Sequence, residues 1–130
     1  MHRLKLVPNT HAYYDFIRML RNDPRVQHGF IQQTQITPEE QHAYMEKYGD
    51  CYYVCLCDDQ PAGYVGVIDH DIRVATHPDY QKKGVGKFMV QEIMKIFPDA
   101  YAKIKVENEA SFKLFMKAGF KVKYYILEKE

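Results

Sequence analysis

The chain is predicted to form one domain, residues 1–130, of the α/β (α+β) class, with a mixed, mostly antiparallel sheet flanked by about four helices. Its 130 residues are enough for a single domain with its own core. Hydrophobic residues make up 46% and charged residues 27%, which is ordinary for a globular protein. Strand-like segments cluster in the middle of the chain, and helical patterns separate the later ones. This order predicts antiparallel hairpins followed by helical crossovers.

The N-terminal part is predicted to contain one strand and two helices. The residues HRLKLV alternate between apolar and polar, as a strand does. Asn9 or Thr10 can cap a helix over AYYDFIRMLRN, which carries an apolar stripe. After RVQHGFIQQTQI, which is irregular, Thr37-Pro38-Glu39-Glu40 has the pattern of a capping box with proline at the first helical position. We expect that second helix to end at Gly49.

The remainder is predicted to contain five strands and two helices. CYYVCLC and PAGYVGVIDH form a hairpin around the turn Asp58-Asp59-Gln60, and IRVAT is the next strand. FMVQEIMKIF reads as a helix, and YAKIKV alternates as a strand. Asn108 or Glu109 opens the helix ASFKLFMKA, and FKVKYYILE is the last strand. That strand could either protect an exposed edge with its lysines or pair across a dimer.

The three cysteines are predicted to be reduced thiols in a buried strand. Cys51, Cys55 and Cys57 would share one face, because side chains alternate along a strand. Their spacing lacks the paired pattern of a zinc site. The triplet Asp69-His70-Asp71 is equally weak evidence for a metal, so we expect none.

Charge and hydropathy favour a cytoplasmic protein and give no sign of binding to nucleic acid or to a membrane. The formal net charge is +1, which supplies no global field for nucleic acid. No apolar run approaches the roughly 20 residues of a membrane span. The first residues, MHRLKLVPN, lack the apolar segment of a signal peptide.

The stretch QKKGVGK, Gln81 to Lys87, places three lysines and two glycines at the start of a predicted helix. Lysines there oppose the positive end of the helix dipole unless an anion lies between them. Free N–H groups at a helix start bind phosphate, and glycines allow close approach. The stretch is neither a Walker A loop nor a complete dinucleotide fingerprint. Either a phosphate site or a solvated turn with incidental lysines would fit the spacing alone.

Two linked motifs resemble the GNAT superfamily of acyl-CoA N-acyltransferases. The first is IRVATHPDYQKKGVGKFMV, which matches that family's strand, (Gln/Arg)-x-x-Gly-x-(Gly/Ala), helix signature. The second is NEASFKLFMKAGF, about twenty residues on, which shares several positions with the family's second motif: Asn108, Leu114, Lys117, Gly119 and Phe120. The resemblance covers residues 60–130 well, and it implies acetyl-CoA-dependent transfer of an acetyl group to a primary amine.

The resemblance also implies a binding path for acetyl-CoA. The pyrophosphate would lie on the turn before the helix, and the pantetheine arm would lie along the third central strand. Later residues would contact the arm or the acyl group. The implied cofactor residues are Val74, Ala75, Thr76, Gln81, Lys82, Lys83, Gly84, Val85, Gly86, Lys87, Asn108, Ser111, Phe112 and Phe115.

The chain departs from the family at Phe115, which occupies the position of a frequent tyrosine that protonates the leaving thiolate. Phenylalanine has no hydroxyl to donate. Ser111, water or Tyr101 could substitute, or the thiolate could leave without an acid. An amine attacks only when neutral, so a base must take its proton. Asp71 and His70 are the candidates, and an Asp71–Arg73 pair at a polar strand end is the alternative.

The acceptor is expected to be a small-molecule amine bound by the first two helices and their loop. Arg21-Asn22 followed by Thr-Pro-Glu-Glu-Gln resembles enzymes that acetylate nucleotide-linked amino sugars. Aromatic and amide side chains suited to a sugar are Phe30, Gln32, Tyr52 and Tyr53. A protein or peptide N-terminus, another small amine, or a catalytically impaired acyl-CoA sensor are the alternatives. The chain would act as a monomer or a homodimer.

Overall fold

The protein's structure, a computed structural model that describes residues 2–31 and 34–129, contains an antiparallel four-stranded sheet and five α-helices. The strands are β1 (Leu4–Pro8), β2 (Tyr52–Cys57), β3 (Gln60–Ile68) and β4 (Asp71–Thr76). The helices are α1 (Tyr14–Asn22), α2 (Pro24–Gln27), α3 (Pro38–Tyr48), α4 (Val85–Ile96) and α5 (Glu109–Lys117). Among these helices, none has both the length and the apolar character that crossing a membrane requires. The predicted fold class is confirmed.

The sheet is built from neighbouring strands in the order β1-β2-β3-β4. Two-residue turns, Asp58-Asp59 and Asp69-His70, join β2 to β3 and β3 to β4. All four turn residues have positive φ, which matches the twist of a tight hairpin. The β3–β4 pairing runs without interruption from Ile68↔Asp71 to Gly63↔Thr76, so side chains alternate regularly along β4.

Each face of the sheet carries its own hydrophobic core. One core packs beneath α4 and α5, and we call that side the α4 face; its buried members include Cys55, Val65, Ile72, Met89 and Ile93. The other core packs beneath α1 and α3, and we call that side the α1/α3 face; its buried members include Ile17, Leu20, Met45, Tyr52, Val54, Tyr64 and Ala75. This arrangement leaves the strand edges as the places where ligands can approach the backbone.

Two of the predicted helix starts are confirmed and one is wrong. Thr37 and Glu40 form the reciprocal capping box of α3, and the Asn108 side chain accepts from Ser111 N at the start of α5. Neither Asn9 nor Thr10 caps α1 with its side chain, since a short 3-10 turn precedes that helix. The Asn9 amide instead donates to Gly49 O at 3.2 Å, which ties the end of β1 to the end of α3.

The two C-terminal segments predicted as strands are not strands within the described chain. Tyr101 forms a single parallel bridge with Asp71, and the residues after it leave β4. Residues 121–129 are exposed, and no strand pairing includes them. Both segments alternate as strands do, but a strand exists only where a second one pairs with it.

The cysteines confirm the expectation of buried thiols for two positions. Cys55 and Cys57 lie buried in β2, and Cys51 lies half-buried in the turn before that strand. All three thiols are free. Burial, with a smaller contribution from Cys57, raises the pKa of the Cys55 thiol to about 12. At neutral pH this thiol is therefore protonated and unreactive.

We expect thiol titration to separate Cys51 from the two strand cysteines. In the native protein at pH 8, one thiol should react with an aromatic disulfide reagent, and two more should react only after unfolding. Cys51→Ser should remove the fast phase and leave the slow one. Three equally fast thiols in the native protein would contradict the burial of β2.

Candidate functional site

The turn after β4 presents the free N–H groups of a helix start. Gly84 caps α4 in the left-handed conformation (φ 81°), and the first hydrogen bond after it runs from Phe88 N to Gly84 O at 3.0 Å. The N–H groups of Val85, Gly86 and Lys87 therefore precede the first intrahelical donor. The turn itself is exposed, whereas the Val85 side chain is buried and anchors it. An anion can reach these donors from solvent.

The two glycines of the turn have different structural roles. A Cβ at Gly84 would meet nothing within 4 Å, so the residue is required by its backbone conformation alone. A Cβ at Gly86 would lie 3.1 Å from Leu114 Cδ2 and 3.5 Å from Thr76 Oγ1. Gly86 thus allows α4, the end of β4 and α5 to meet at one point.

The lysines of the turn are available to a ligand. Lys82, Lys83 and Lys87 are exposed, and no ion pair joins them to an acidic side chain in the described part of the chain. Lys83 Nζ lies 5.5 Å from the centre of the Tyr80 ring. Three cations and a helix N-terminus together make a site for a multiply charged anion such as a pyrophosphate.

The outer edge of β4 is open beyond its first residues. Ile72 N donates to Tyr101 O on that edge, while His77 N donates across to Ala62 O on β3. By alternation, the backbone groups of Val74 and Thr76 point to the outer edge, where no partner is present among the described residues. The backbone of Ala75 faces β3, and its side chain is buried on the α1/α3 face. Of the three β4 residues implied for the pantetheine arm, two can therefore pair with it.

Asn108 joins the start of α5 to the loop after α2. Its Oδ1 accepts from Ser111 N and its Nδ2 donates to Gly29 O, both at 3.1 Å. Lys105 Nζ donates to His28 O at 3.1 Å. A Cβ at Gly29 would lie 2.6 Å from Asn108 Nδ2. The amide implied for cofactor contact is thus already engaged in holding the loop after α2.

We expect substitutions of Asn108 to separate helix capping from loop attachment. Asn108→Asp keeps an acceptor for Ser111 N but replaces the donor to Gly29 O with a carboxylate. Asn108→Ala loses both and should reduce the free energy of unfolding by about 1 kcal/mol, the usual cost of a lost cap. Urea unfolding should show the aspartate variant nearer to wild type. Both variants should raise the acceptor KM several-fold, and an unchanged KM in both would contradict the expectation that the loop after α2 helps to bind the acceptor.

The α5 side chains implied for the arm or acyl group lie in different environments. Phe115 is buried and packs edge-to-face on Phe120, with ring centres 5.0 Å apart. Phe112 is exposed on the surface of α5, and Ser111 is half-buried in its first turn. Phe115 therefore belongs to the α4-face core, and it brings no donor to the place where the family has its tyrosine.

The two candidate bases lie on different sides of the sheet. Asp71 opens β4 on the α1/α3 face, where its carboxylate lies 3.3 Å from Arg73 Nε. No bulge interrupts β4, so Ile72 and Val74 take the opposite face. His70 lies in the β3–β4 turn and lines a groove beside the end of α4 with Phe97. Only Asp71 faces the half of the molecule that carries α1 and α3.

The predicted acceptor residues do not form one surface. Tyr52 is buried on the α1/α3 face, where its hydroxyl lies 2.7 Å from that of Tyr44. Burial, with the neighbouring Tyr44, raises the pKa of Tyr52 far above its usual range. Tyr53 packs on the α4 face, so the prediction that both tyrosines line one groove is wrong. Phe30 is partly buried against the α1/α3 core, and Gln32 lies outside the described residues.

A buried polar network under α3 was missed by sequence reasoning. Arg21 stacks on the Tyr44 ring at 4.6 Å and donates to Gln41 Oε1 at 3.2 Å. Gln41 is itself buried and donates to Tyr14 O. The sequence offered one indication of this network: Gln41 lies on the inner side of an otherwise apolar stripe of α3. The network holds α3 on α1.

One group of metal-ligand types comes together among the described residues, and it lies away from this site. His2, Cys57 and Asp58 place their ligand atoms within 4.8 Å of one another. Asp58 is already engaged, because it accepts from Arg3 N and lies 3.2 Å from His2 Nδ1. The triplet Asp69-His70-Asp71, where no metal was expected, does not form such a group in the described residues.

Comparison with known proteins agrees with this geometry. The sequence model of the "Acetyltransferase (GNAT) family" matches residues 14–120, while no curated protein sequence matches the chain. A spermidine N-acetyltransferase from Vibrio cholerae, solved with CoA and spermine, superposes with a TM-score of 0.83 at 16% identity, covering 97% of this chain and 85% of that one. A domain from Methanocaldococcus jannaschii superposes with a TM-score of 0.81 at 20% identity, covering 93% and 90%.

A third solved structure extends the range of similar proteins. An aminoglycoside N-acetyltransferase in complex with CoA has a TM-score of 0.73 at 11% identity, covering 100% of this chain and 95% of that one. At these identities the similarity establishes the fold, whereas the family match extends over most of the sequence. The chain therefore belongs to the acetyltransferase (GNAT) family, whose enzymes use acetyl-CoA as the acetyl donor.

Proposed function

We propose that the protein transfers the acetyl group of acetyl-CoA to a primary amine that also carries an anionic group. The use of acetyl-CoA is supported by one observation: the unpaired backbone groups at the open edge of β4 are followed along the chain by the free N–H groups at the start of α4. Val74 and Thr76 can pair with the amides of the pantetheine arm as an added strand does. The arm would then lead to the N–H groups of Val85 to Lys87, where the pyrophosphate would bind.

The chemistry is a direct displacement at the thioester. The amine nitrogen bonds to the carbonyl carbon, and the carbon–sulfur bond then breaks, so that CoA leaves as a thiolate. The proton of the amine passes through water to the Asp71 carboxylate. Asp71 lies three residues from Val74, about 10 Å along the strand, which is within the reach of a short water chain. The thiolate can leave without an acid, because a free thiol has a pKa of only about 8.5.

The charges around the opening support an acceptor with an anionic group. Arg73 lies on the α1/α3 face, and Lys103 and Lys105 share that face, because the alternate residues Ala102 and Ile104 pack against the α4-face core. Asp71 is the acidic side chain paired within this group. A polyamine would meet net positive charge here, whereas a phosphorylated amine would be attracted.

A nucleotide-linked amino sugar is therefore our first acceptor class, since it combines a primary amine with phosphate. A small phosphorylated amine or a peptide N-terminus beside an acidic side chain would meet the same chemistry. Spermine, present in the Vibrio cholerae structure, has the opposite charge. An acyl-CoA sensor is the second candidate function, and the absence of a hydroxyl at Phe115 favours it.

A release assay separates these functions. The protein is incubated with acetyl-CoA and one amine at a time, and free CoA thiol is measured over time. The amines are a nucleotide-linked amino sugar, the same sugar phosphate without the nucleotide, the free amino sugar, spermidine and an acidic peptide. We expect phosphate-bearing amines to have the highest kcat/KM, and Lys103→Gln to lower it for them but not for the free sugar.

Two other outcomes of this assay would contradict the proposal. A preference for spermidine would overturn the acceptor class and leave the transfer reaction intact. CoA binding by calorimetry with no thiol release on any amine would favour the sensor.

A further inference from the structure

Three side chains of metal-ligand type meet where the start of β1 lies beside the β2–β3 turn. They are His2, Cys57 and Asp58, and one ligand atom from each lies within 4.8 Å of the others. His2 Nδ1 lies 3.2 Å from Asp58 Oδ2. Two ligands bound to one zinc ion at about 2.0–2.1 Å are about 3.3 Å apart in a tetrahedral site. The distance between these two atoms therefore matches one edge of a zinc site.

The register of β1 on β2 brings the imidazole to the thiol. Leu4 is the direct partner of Cys57, and both side chains pack in the α4-face core. His2 comes two residues before Leu4, so it returns to the same face. The backbone pairing continues beyond Leu4, because Asp58 N donates to Arg3 O at 2.8 Å. The sequence alone could not indicate this group, since 56 residues separate His2 from Asp58.

The turn residue Asp58 is held in position by the backbone of β1. It adopts a left-handed conformation (φ 49°), and its Oδ1 accepts from Arg3 N at 2.9 Å. That bond leaves Oδ2 beside His2. Carboxylates that bind metal ions are commonly held by a second hydrogen bond of this kind. The contacts of Asp58 therefore orient the carboxylate for a metal ion and do not compete with one.

The chemistry of the three ligands suits a zinc ion. A thiolate and a carboxylate together balance the charge of Zn²⁺, and thiolate and imidazole favour zinc over Mg²⁺ or Ca²⁺, which take oxygen ligands. Arg3 does not oppose the ion, because its guanidinium is paired with Asp59 at 2.9 Å. Cys57 is buried, whereas His2 and Asp58 are exposed, so an ion can enter from solvent.

We propose that His2, Cys57 and Asp58 bind one zinc ion, with a water molecule in the fourth position. The ion joins the N-terminal end of β1 to the β2–β3 turn. In the strand order β1-β2-β3-β4, β1 is an edge strand and lies at the opposite edge from β4. The role of the ion is therefore structural, because an ion that binds only the folded chain stabilises it by mass action.

Cobalt binding to the full chain tests the thiol ligand. Protein freed of metal with a chelator is titrated with Co²⁺ alone, and a bond from cobalt to a thiolate is detected by its charge-transfer absorption in the near ultraviolet. We expect one ion per chain, displaced by Zn²⁺. Cys57→Ala should abolish the absorption, whereas Cys51→Ser should keep it. Because Cys57 is buried, circular dichroism checks that its variant has folded.

His2→Gln tests the site without disturbing the core, since His2 is exposed. Calorimetry should show a Kd for Zn²⁺ at least about tenfold higher than that of the wild type. Zn²⁺ should raise the Tm of the wild type by several degrees and leave that of the variant unchanged. Asp58→Asn should behave in the same way, because asparagine tolerates the positive φ and keeps an oxygen for Arg3 N.

His42→Gln is the matched control for the imidazole. His42 is also exposed and lies 2.9 Å from the Glu46 carboxylate, but no thiol joins this pair among the described residues. The variant should bind Zn²⁺ as the wild type does. Equal weakening by His42→Gln and His2→Gln would show that zinc binds the surface histidines in general, and would overturn the proposal.

Two further results would overturn the zinc site. One is a cobalt spectrum of the wild type without thiolate absorption, and the other is equal Kd values for Zn²⁺ in the wild type and His2→Gln. These measurements use neither acetyl-CoA nor an amine, so their failure would leave the proposed acetyl transfer untouched.

Discussion

Gly84→Glu is expected to weaken CoA binding more than any other single change in the turn before α4. The side chain would project from a residue with open space around it and would carry a negative charge beside the donors of Val85 to Lys87. Two charges about 4 Å apart near a protein surface interact with about 4 kcal/mol. Because the glutamate can turn toward solvent, we expect a smaller net effect, at least tenfold in Kd, or about 1.4 kcal/mol.

Gly84→Gln provides the control for this prediction, since it has the same size and the same backbone penalty. A non-glycine residue in the left-handed conformation costs about 1–2 kcal/mol, and both variants bear that cost equally. Calorimetry with CoA should show a Kd at least tenfold higher for glutamate than for glutamine, and the difference should shrink in high salt. Equal Kd values for the two variants would show that the pyrophosphate of CoA does not bind at this turn.

The sequence predicted those elements whose start or turn is determined by a few neighbouring residues. The capping box at Thr37 and Glu40 fixes the start of α3, and the glycine turn fixes the start of α4. The turn at Asp58-Asp59 was predicted, whereas Asp69-His70, predicted as the end of the strand PAGYVGVIDH, is the second hairpin turn, because both residues have positive φ. Asn9 does not cap α1 because a 3-10 turn separates the two, and its Nδ2 donates instead to the distant Gly49 O.

Strands near the C-terminus could not be predicted from alternation alone. YAKIKV and FKVKYYILE have the period of strands, yet each depends on a neighbour that the sequence does not specify. The same limit applies to the site. Asn108 and Gly29 are 79 residues apart, and Lys105 and His28 are 77 apart, so no spacing rule could connect them. Glycine turns and helix caps depend on neighbouring residues, whereas contacts between distant segments, such as that of Asn108 with Gly29, form only in the folded chain.

The placement of the β4 side chains was predictable in principle but depended on the absence of a bulge. With regular alternation, Asp71 and Arg73 face α1 and α3, and Ile72 and Val74 face α4. A single extra residue would have exchanged these faces. The register shift in this sheet lies instead between Cys55 and Leu56 of β2, two strands away from the open edge.

Asp71→Asn is expected to lower kcat/KM by about 100-fold or more at pH 7, within the range that a general base contributes. The substitution preserves shape and keeps an oxygen near Arg73, but it removes the group that accepts the proton of the amine. An alkyl ammonium has a pKa near 10, so raising the pH supplies the neutral amine without a base. The activity of the variant should therefore rise steeply between pH 7 and 10 and approach that of the wild type.

Asp69→Asn is the matched control for the base, because Asp69 is two residues away in the exposed β3–β4 turn and has positive φ, which asparagine tolerates. Its kcat/KM and pH profile should match the wild type within about twofold. His70→Ala should also leave the rate nearly unchanged, since His70 lies beside the end of α4. If Asp71→Asn kept the wild-type profile, or if His70→Ala alone reproduced the loss, the proton would leave by another route and the acceptor would bind on the other face of the sheet.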